Sequence, residues 1–340
     1  MLPALESGIV RIGIVGAGAI GGTFAALLDR AGHEVVVTAR GEHLDAIRER
    51  GLLLRGAWGE HVARIGAAQV LPEPPDLALI TVKAQDAQRA AVAHATLLAG
   101  VPVVVIQNGL AGPQSLRRTL SASPLIGGLS LIAASYLEPG VVTVTAPGVT
   151  VLATDSATRA ELADAAAVLR QAAPVSTAPD LVGAQWSKLV VNQLNAAAAI
   201  TGLPAQQALA SPAMRRVVAQ AMRETLRVGR AAGVRFGGIP GLTPGVLRML
   251  DLLPPAVSGR LLAGRMVDRM GSVPNPGSTL QSIRRGRPTE IDHLSGAVVT
   301  EGERLDVPTP VNRRIVALVH EVEADGRFVP PDAAARRILA

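Results

Sequence analysis

The sequence predicts an α/β chain in two parts, a doubly wound parallel sheet followed by an all-α domain. Three observations carry this expectation. Short apolar runs alternate with amphipathic segments through the first half, a glycine cluster separates the first run from its helix, and beyond Leu181 one helical pattern follows another. The 340 residues exceed what one hydrophobic core usually supports, so two domains are expected, residues 8–178 and 179–330.

Taken in order, residues 9–15 form an apolar run that reads as a strand, and the helical pattern 23–29 follows it across a glycine-rich turn. A second strand, 34–38, completes a βαβ unit of ordinary size. Residues 77–82, 86–98 and 101–106 continue the alternation as strand, helix and strand, which places helices on both faces of a parallel sheet. From 125 to 153 the pattern turns β-rich with Pro-Gly turns, 158–172 is an Ala-rich helix, and Pro174 and Pro179 punctuate the boundary. The second half reads as helices over 181–200, 213–232, 254–270, 289–305 and 309–324, with Gly/Pro loops at 236–245 and 271–277.

Composition excludes several functions. Zero cysteines rule out disulfides, thiol nucleophiles and thiolate metal sites, and the six histidines show no metal-ligand spacing, so no metal is expected. The net charge of +6 comes from arginines scattered along amphipathic helices, and 2% aromatics leave little for base stacking, so nucleic acid is not an expected partner. No apolar run reaches the roughly 18 residues of a membrane helix, and Glu6 precedes Arg11 with no basic leader. A cytoplasmic protein without a membrane partner is expected. Exposed apolar helix faces are compatible with a homodimer or with internal packing, and both stay open.

All but two of the 33 basic residues are arginines, the exceptions being Lys83 and Lys188. Arginine does not release its proton near neutral pH whereas lysine does when its pKa is lowered, so the surviving lysines mark positions that must titrate.

The turn Gly16-Ala17-Gly18-Ala19-Ile20-Gly21 between a strand and a helix is the dinucleotide-binding fingerprint in its proper context, and it makes the first domain Rossmann-type. The second strand ends in Thr38-Ala39-Arg40 rather than in an acidic residue, so Arg40 is placed to pair with a 2′-phosphate and NADP(H) is favoured as cofactor. Lys83 and Asn108 each follow a strand at the C-terminal edge, where open α/β sheets bind ligands. Lys188 and Asn192 lie four apart on one helix face, Asn195 extends the stripe, and partial desolvation there would lower the lysine pKa toward a proton-donating range. Asn275 and Ser278 form a polar loop suited to gripping a carboxylate or hydroxyl. Glu290 follows Thr289 at a helix start, where a first-turn carboxylate is favoured by the dipole and Thr289 is a candidate cap.

In this combination and order, glycine motif, strand-end Arg40, Val-Lys83, Asn108-Gly, Trp-x-Lys188-x-x-x-Asn192, Asn275-x-x-Ser278 and Thr-Glu290-Ile-Asp, the chain resembles the ketopantoate reductases, over roughly residues 10–314. The resemblance implies a helical second domain like that of 6-phosphogluconate dehydrogenase and NADPH-dependent reduction of a small-molecule 2-oxo acid, 2-dehydropantoate, to pantoate in pantothenate and coenzyme A synthesis. It implies hydride transfer from nicotinamide C4 in a cleft between the domains, with Lys188 as general acid. It further implies that Asn192, Asn275 and Ser278 bind substrate, that Lys83 and Asn108 lie on the cofactor side with Asn108 also close to substrate, and that Glu290 stands near nicotinamide and lysine. Asn195 is carried as a substrate contact on its place in the stripe.

The chain departs from this pattern on the substrate side. Ala196 stands where many relatives carry an Asn eight residues after the lysine, Ala205 replaces a later one, and segment 237–271 is longer than the family core requires. A related reductase of another 2-oxo acid, ketone or imine is the alternative, and a non-catalytic NADP(H)-binding regulator is the reading from a different class.

Overall fold

The computed structural model describes residues 8–154, 159–270 and 276–340. The chain divides into two compact units between Leu181 and Val182. The first carries β1 (Arg11–Val15), α1 (Ala19–Arg30), β2 (Glu34–Thr38), α2 (Gly41–Arg50), β3 (Leu52–Gly56), β4 (His61–Ala63), β5 (Gly66–Ala68), β6 (Leu77–Ile80), α3 (Ala84–His94), β7 (Val103–Ile106), α4 (Gly112–Leu116), β8 (Leu125–Ser130), β9 (Ala133–Glu138), β10 (Val141–Ala146), β11 (Thr150–Ala153), α5 (Arg159–Arg170) and β12 (Val175–Thr177).

Continuous apolar runs in a strand signal burial on both faces, and the central strands behave this way. Ile12 and Ile14 of β1, Leu77 and Leu79 of β6, and Val104 and Ile106 of β7 enter one hydrophobic cluster with α1 and α5. Their neighbours Val15, Ala78, Ile80, Val103 and Val105 enter another with Ala87 and Ala91 of α3 and Leu116 of α4. The main sheet runs β12-β11-β8-β7-β6-β1-β2-β5. Six strands, β5 through β8 in that order, are mutually parallel. The parallel expectation needs one amendment, because β11 lies antiparallel to β8 and β12 follows β11. A parallel neighbour requires a long crossover, and between β8 and β11 the chain makes only tight β connections. Strand order reverses between β1 and β6, which is the switch point where such sheets take ligands.

A second sheet, β4-β3-β10-β9, joins segments far apart in sequence through parallel pairing of β3 with β10. It packs on the side of α1 away from β2, so α1 is enclosed and Gly21 through Leu28 are all buried. A β-carbon on Gly22 would stand 2.7 Å from Val142 of β10, so this glycine lets the second sheet close on the helix.

The second unit is helical: α6 (Leu181–Thr201), α7 (Ala205–Ala208), α8 (Pro212–Ala231), α9 (Pro244–Leu252), α10 (Pro255–Met270), α11 (Gly277–Arg284), a 3-10 turn at Ile291–His293, α12 (Ser295–Arg304), α13 (Pro310–Asp325) and α14 (Pro331–Leu339). Helix α8 is the hub, packing against α9, α10, α12, α13 and α14. Its start is set by Ser211, whose Oγ accepts from Met214 N, and by Pro212 at the first helical position. Buried Glu224 of α8 receives Val311 N, Asn312 N and Asn312 Nδ2 at 2.9, 2.8 and 2.7 Å, and so caps α13 from a neighbouring helix.

Three helical expectations change. The unit does not stop at residue 330, because Ala334, Ala335 and Ile338 of α14 are buried in its core. Between the loop expected at 236–245, which ends at 243, and the helix expected from 254 the structure adds α9, which Thr243 caps through Val246 N with Pro244 at its first position. The helix expected over 289–305 splits into the 3-10 turn and α12, since Leu294 leaves helical geometry at φ −105°, ψ −97°.

Candidate functional site

The cofactor candidates are built on the switch point of the first unit. Gly16 sits at φ +108°, a region closed to most side chains, and a β-carbon there would meet Val82 Cγ1 at 2.7 Å. Thr81 Oγ1 donates to Gly16 O at 2.6 Å, Thr38 Oγ1 accepts from Gly16 N at 2.9 Å, and Thr38 O accepts from Ala17 N at 2.9 Å. The ends of β1, β2 and β6 are thus tied into one rigid turn. Gly18 is the N-cap of α1, makes no side-chain cap, and would have nothing within 4 Å of an added β-carbon. Packing does not demand glycine there, whereas close approach of a phosphate to the backbone does. The turn 16–21, with the positive end of α1 behind it, fits a dinucleotide pyrophosphate.

Arg40 is exposed at the N-cap of α2 and makes no ion pair or side-chain hydrogen bond among the described residues. Its guanidinium, two residues beyond the Thr38 that anchors the turn, is available to a phosphate. Lys83 is the N-cap of α3 and Asn108 follows β7. Parallel register pairs Ile80 with Val105, so the two strands bring Lys83 and Asn108, each three residues further on, to neighbouring positions on the carboxyl edge. Gln107, which carries no motif signal in the sequence, locks these strand ends together: Nε2 donates to Val82 O at 2.9 Å, while buried Oε1 has no hydrogen-bond partner among the described residues.

The second unit carries the proposed proton donor. Lys188 lies in the middle of α6, is 9% exposed, and makes no ion pair or hydrogen bond among the described residues. Burial pushes its pKa down to about 8, with no contribution from a carboxylate. Burial, not a neighbouring anion, makes this amine easier to deprotonate than an ordinary lysine.

Asn192 is buried one turn beyond Lys188. Asn195, half-buried, approaches Ser278 of α11 with Nδ2 3.5 Å from Oγ, and Gly277, at φ +67°, opens this meeting point because a β-carbon would stand 3.1 Å from Asn195 Oδ1. The structure therefore brings Asn195 and Ser278 together. Asn275 lies outside the described residues. Ala196, one position on, turns into the apolar cluster of the unit, and Ala205 is also buried, so the polar stripe on α6 runs through Asn195.

Glu290 is 9% exposed and precedes the 3-10 turn instead of opening an α-helix. Glu290 itself is the N-cap of the turn, and Thr289, one position earlier, accepts from Ile291 N at Oγ1, 3.2 Å away, while Glu323 Oε1 of α13 receives Thr289 N at 2.7 Å. Ser295 Oγ donates to Gln193 Oε1 of α6 at 2.9 Å, which anchors the segment following Glu290 to the helix that carries Lys188. Among the described residues no cluster of His, Asp and Glu has metal-ligand geometry, and no helix is long and apolar enough to cross a membrane.

The family model described as ketopantoate reductase PanE/ApbA matches residues 12–156, and its C-terminal counterpart matches residues 180–323. The chain belongs to the ketopantoate reductase family. Among its relatives, 2-dehydropantoate 2-reductase of Archaeoglobus fulgidus is 29% identical over 319 residues, covering 93% of this chain and 99% of the relative. The protein of that name from Mesorhizobium japonicum is 30% identical over 345 residues, covering 93% and 98%. A solved PanE/ApbA family ketopantoate reductase from Ralstonia eutropha superposes with a TM-score of 0.76 at 32% identity, covering 93% of this chain and 99% of that one. D-mandelate dehydrogenase in complex with NADH shares the fold, with a TM-score of 0.77 at 21% identity and coverage of 93% and 99%. As a ketopantoate reductase family member the chain is an oxidoreductase with a Rossmann-type unit for a nicotinamide cofactor.

Proposed function

We propose that this member of the ketopantoate reductase family reduces 2-dehydropantoate to pantoate with NADPH, in the synthesis of pantothenate and coenzyme A. The observation that carries the reading is Lys188, one of only two lysines, buried on α6 with its pKa lowered to about 8. Bound nicotinamide supplies the hydride. Lys188 supplies the other half of the chemistry: protonated, its Nζ polarises the substrate carbonyl and delivers the proton to the developing alkoxide. The low-dielectric surroundings that lower the pKa also strengthen this interaction.

Asn192, Asn195 and Ser278 are assigned to the polar groups of the substrate, and Asn108 to the region shared by substrate and cofactor. Glu290, whose neighbour Thr289 is held through its backbone N–H by Glu323, is assigned to a place beside the nicotinamide and the lysine. Arg40 is assigned to the 2′-phosphate, the turn 16–21 to the pyrophosphate, and Lys83 to the cofactor side. The test of the central role is Lys188→Ala: kcat falls about 100- to 10,000-fold while NADPH affinity is nearly preserved, and unchanged turnover removes Lys188 from its role.

A second reading, reduction of another 2-oxo acid, is favoured by one observation. Ala196 and Ala205 are buried and offer no amide where many relatives are expected to place one. Losing a buried hydrogen-bond partner shifts substrate preference strongly, so parallel assays with several 2-oxo acids separate the two.

A further inference from the structure

We propose that His43 is a positioning residue that fixes Arg40 relative to the glycine turn and thereby sets the preference for NADPH over NADH. His43 lies in the first turn of α2, three residues beyond its N-cap Arg40, and is 7% exposed. Its Nδ1 lies 2.9 Å from Gly140 N, which only donates, so Nδ1 carries the lone pair. The ring proton therefore sits on Nε2, which donates to Ala17 O at 2.7 Å. The imidazole lies against Tyr136 of β9, with ring centroids 4.2 Å apart and planes at 38°. Both nitrogens are engaged, so this histidine holds structure and is no proton donor for the reaction.

What it holds matters because of where the ties fall. Thr38, two residues before Arg40, bonds Gly16 and Ala17, and His43, three residues after it, bonds Ala17 again. Arg40 is thus pinned on both sides to the same turn that is assigned to the pyrophosphate. The far side of the clamp is the β9–β10 turn. Gly140, at φ +75°, would place a β-carbon 3.0 Å from Ala46 of α2, so glycine there lets its N–H reach the ring. Arg50, at the other end of α2, donates to Pro139 O at 2.8 Å. Helix α2 is consequently fastened to the second sheet at both ends, and the spacing between pyrophosphate and 2′-phosphate recognition is set by His43. A dinucleotide bearing the 2′-phosphate is anchored at both points, whereas NADH uses only the turn.

The inference rests on the assignment of Arg40 to the 2′-phosphate. It is tested by titrating NADPH and NADH into wild type, His43→Gln and His43→Asn, following cofactor fluorescence, with thermal unfolding of each. Glutamine keeps an N–H donor for Ala17 O and abandons Gly140 N. Asparagine keeps an acceptor for Gly140 N and abandons Ala17 O. Each loses one hydrogen bond, so both lower Tm to a similar extent. Only His43→Asn is expected to raise the NADPH Kd, by about tenfold, and to narrow the NADPH to NADH ratio, while His43→Gln stays within about threefold of wild type. Wild-type ratios in both variants, or equal weakening of the two cofactors in both, overturn the proposal. If wild type itself shows no preference for NADPH, the assignment of Arg40 fails, and the role of His43 falls with it.

Discussion

The carbonyl oxygen of Gly16 lies 2.0 Å from where a β-carbon on Gly21 would stand, and Thr81 Oγ1 lies 2.3 Å from it. Neither the backbone oxygen nor the hydroxyl bonded to it can retreat without breaking the turn. Gly21→Ala is therefore expected to destabilise the protein by about 3 kcal/mol. Gly18→Ala meets open space and is expected to keep Tm close to wild type while weakening NADPH, because its methyl would stand in the space assigned to the phosphate. Thermal unfolding alongside cofactor titration separates the two glycines.

The role proposed for Lys188 makes activity depend on pH in a determined direction, and its burial does the same for stability. Below about pH 8 the amine is protonated and competent to donate, so ketone reduction is expected to decline as pH rises through that value. For stability, the unfolded chain keeps the proton up to the ordinary 10.5, whereas the folded chain releases it at about 8. Between these values the unfolded state binds more protons, so folding stability rises with pH across the window, by up to about 3 kcal/mol. Lys188→Met is expected to abolish the rise, as measured by denaturant unfolding at a series of pH values.

Arg40→Ala removes the group assigned to the 2′-phosphate without touching the glycine turn. NADPH affinity is expected to fall about 10- to 100-fold, the worth of a charge-assisted pair, with NADH affinity nearly unchanged. Calorimetric titration of both cofactors checks this, and equal loss for both would remove Arg40 from phosphate recognition.

Glu224 is buried in α8, and burial pushes its pKa up while the donors of Val311 and Asn312 oppose the shift. Glu224→Ala leaves three donors at the start of α13 without their acceptor and is expected to cost about 3 kcal/mol. Glu224→Gln retains an acceptor oxygen and is expected to cost less. Chemical denaturation of both variants at one pH gives the comparison.

Local chemistry was legible in the sequence where neighbours along the chain determine it. The turn 16–21 follows from strand, glycines and helix in succession, and the stripe Lys188, Asn192, Asn195 follows from helical spacing alone. Partners distant in the chain were not legible. His43 reads as an ordinary helix residue until β3 pairs with β10 and brings Gly140 to it from 97 residues away. The enclosure of α1 between two sheets has the same origin, and so does the packing of α14 against α8. Ala196 and Asn195 differ by one position in sequence, but a step of about 100° around a helix sends one into the core and the other to Ser278.

The central claim, that the chain reduces 2-dehydropantoate with NADPH through Lys188, is tested most directly by loss of NADPH absorbance with the purified protein. The assay sets 2-dehydropantoate beside other 2-oxo acids and a no-substrate control, in wild type and Lys188→Ala. The expected result is efficient turnover of 2-dehydropantoate by wild type, little with the other acids, and collapse of turnover in the variant. Tight NADPH binding with negligible turnover of 2-dehydropantoate, or a variant as active as wild type, would contradict it.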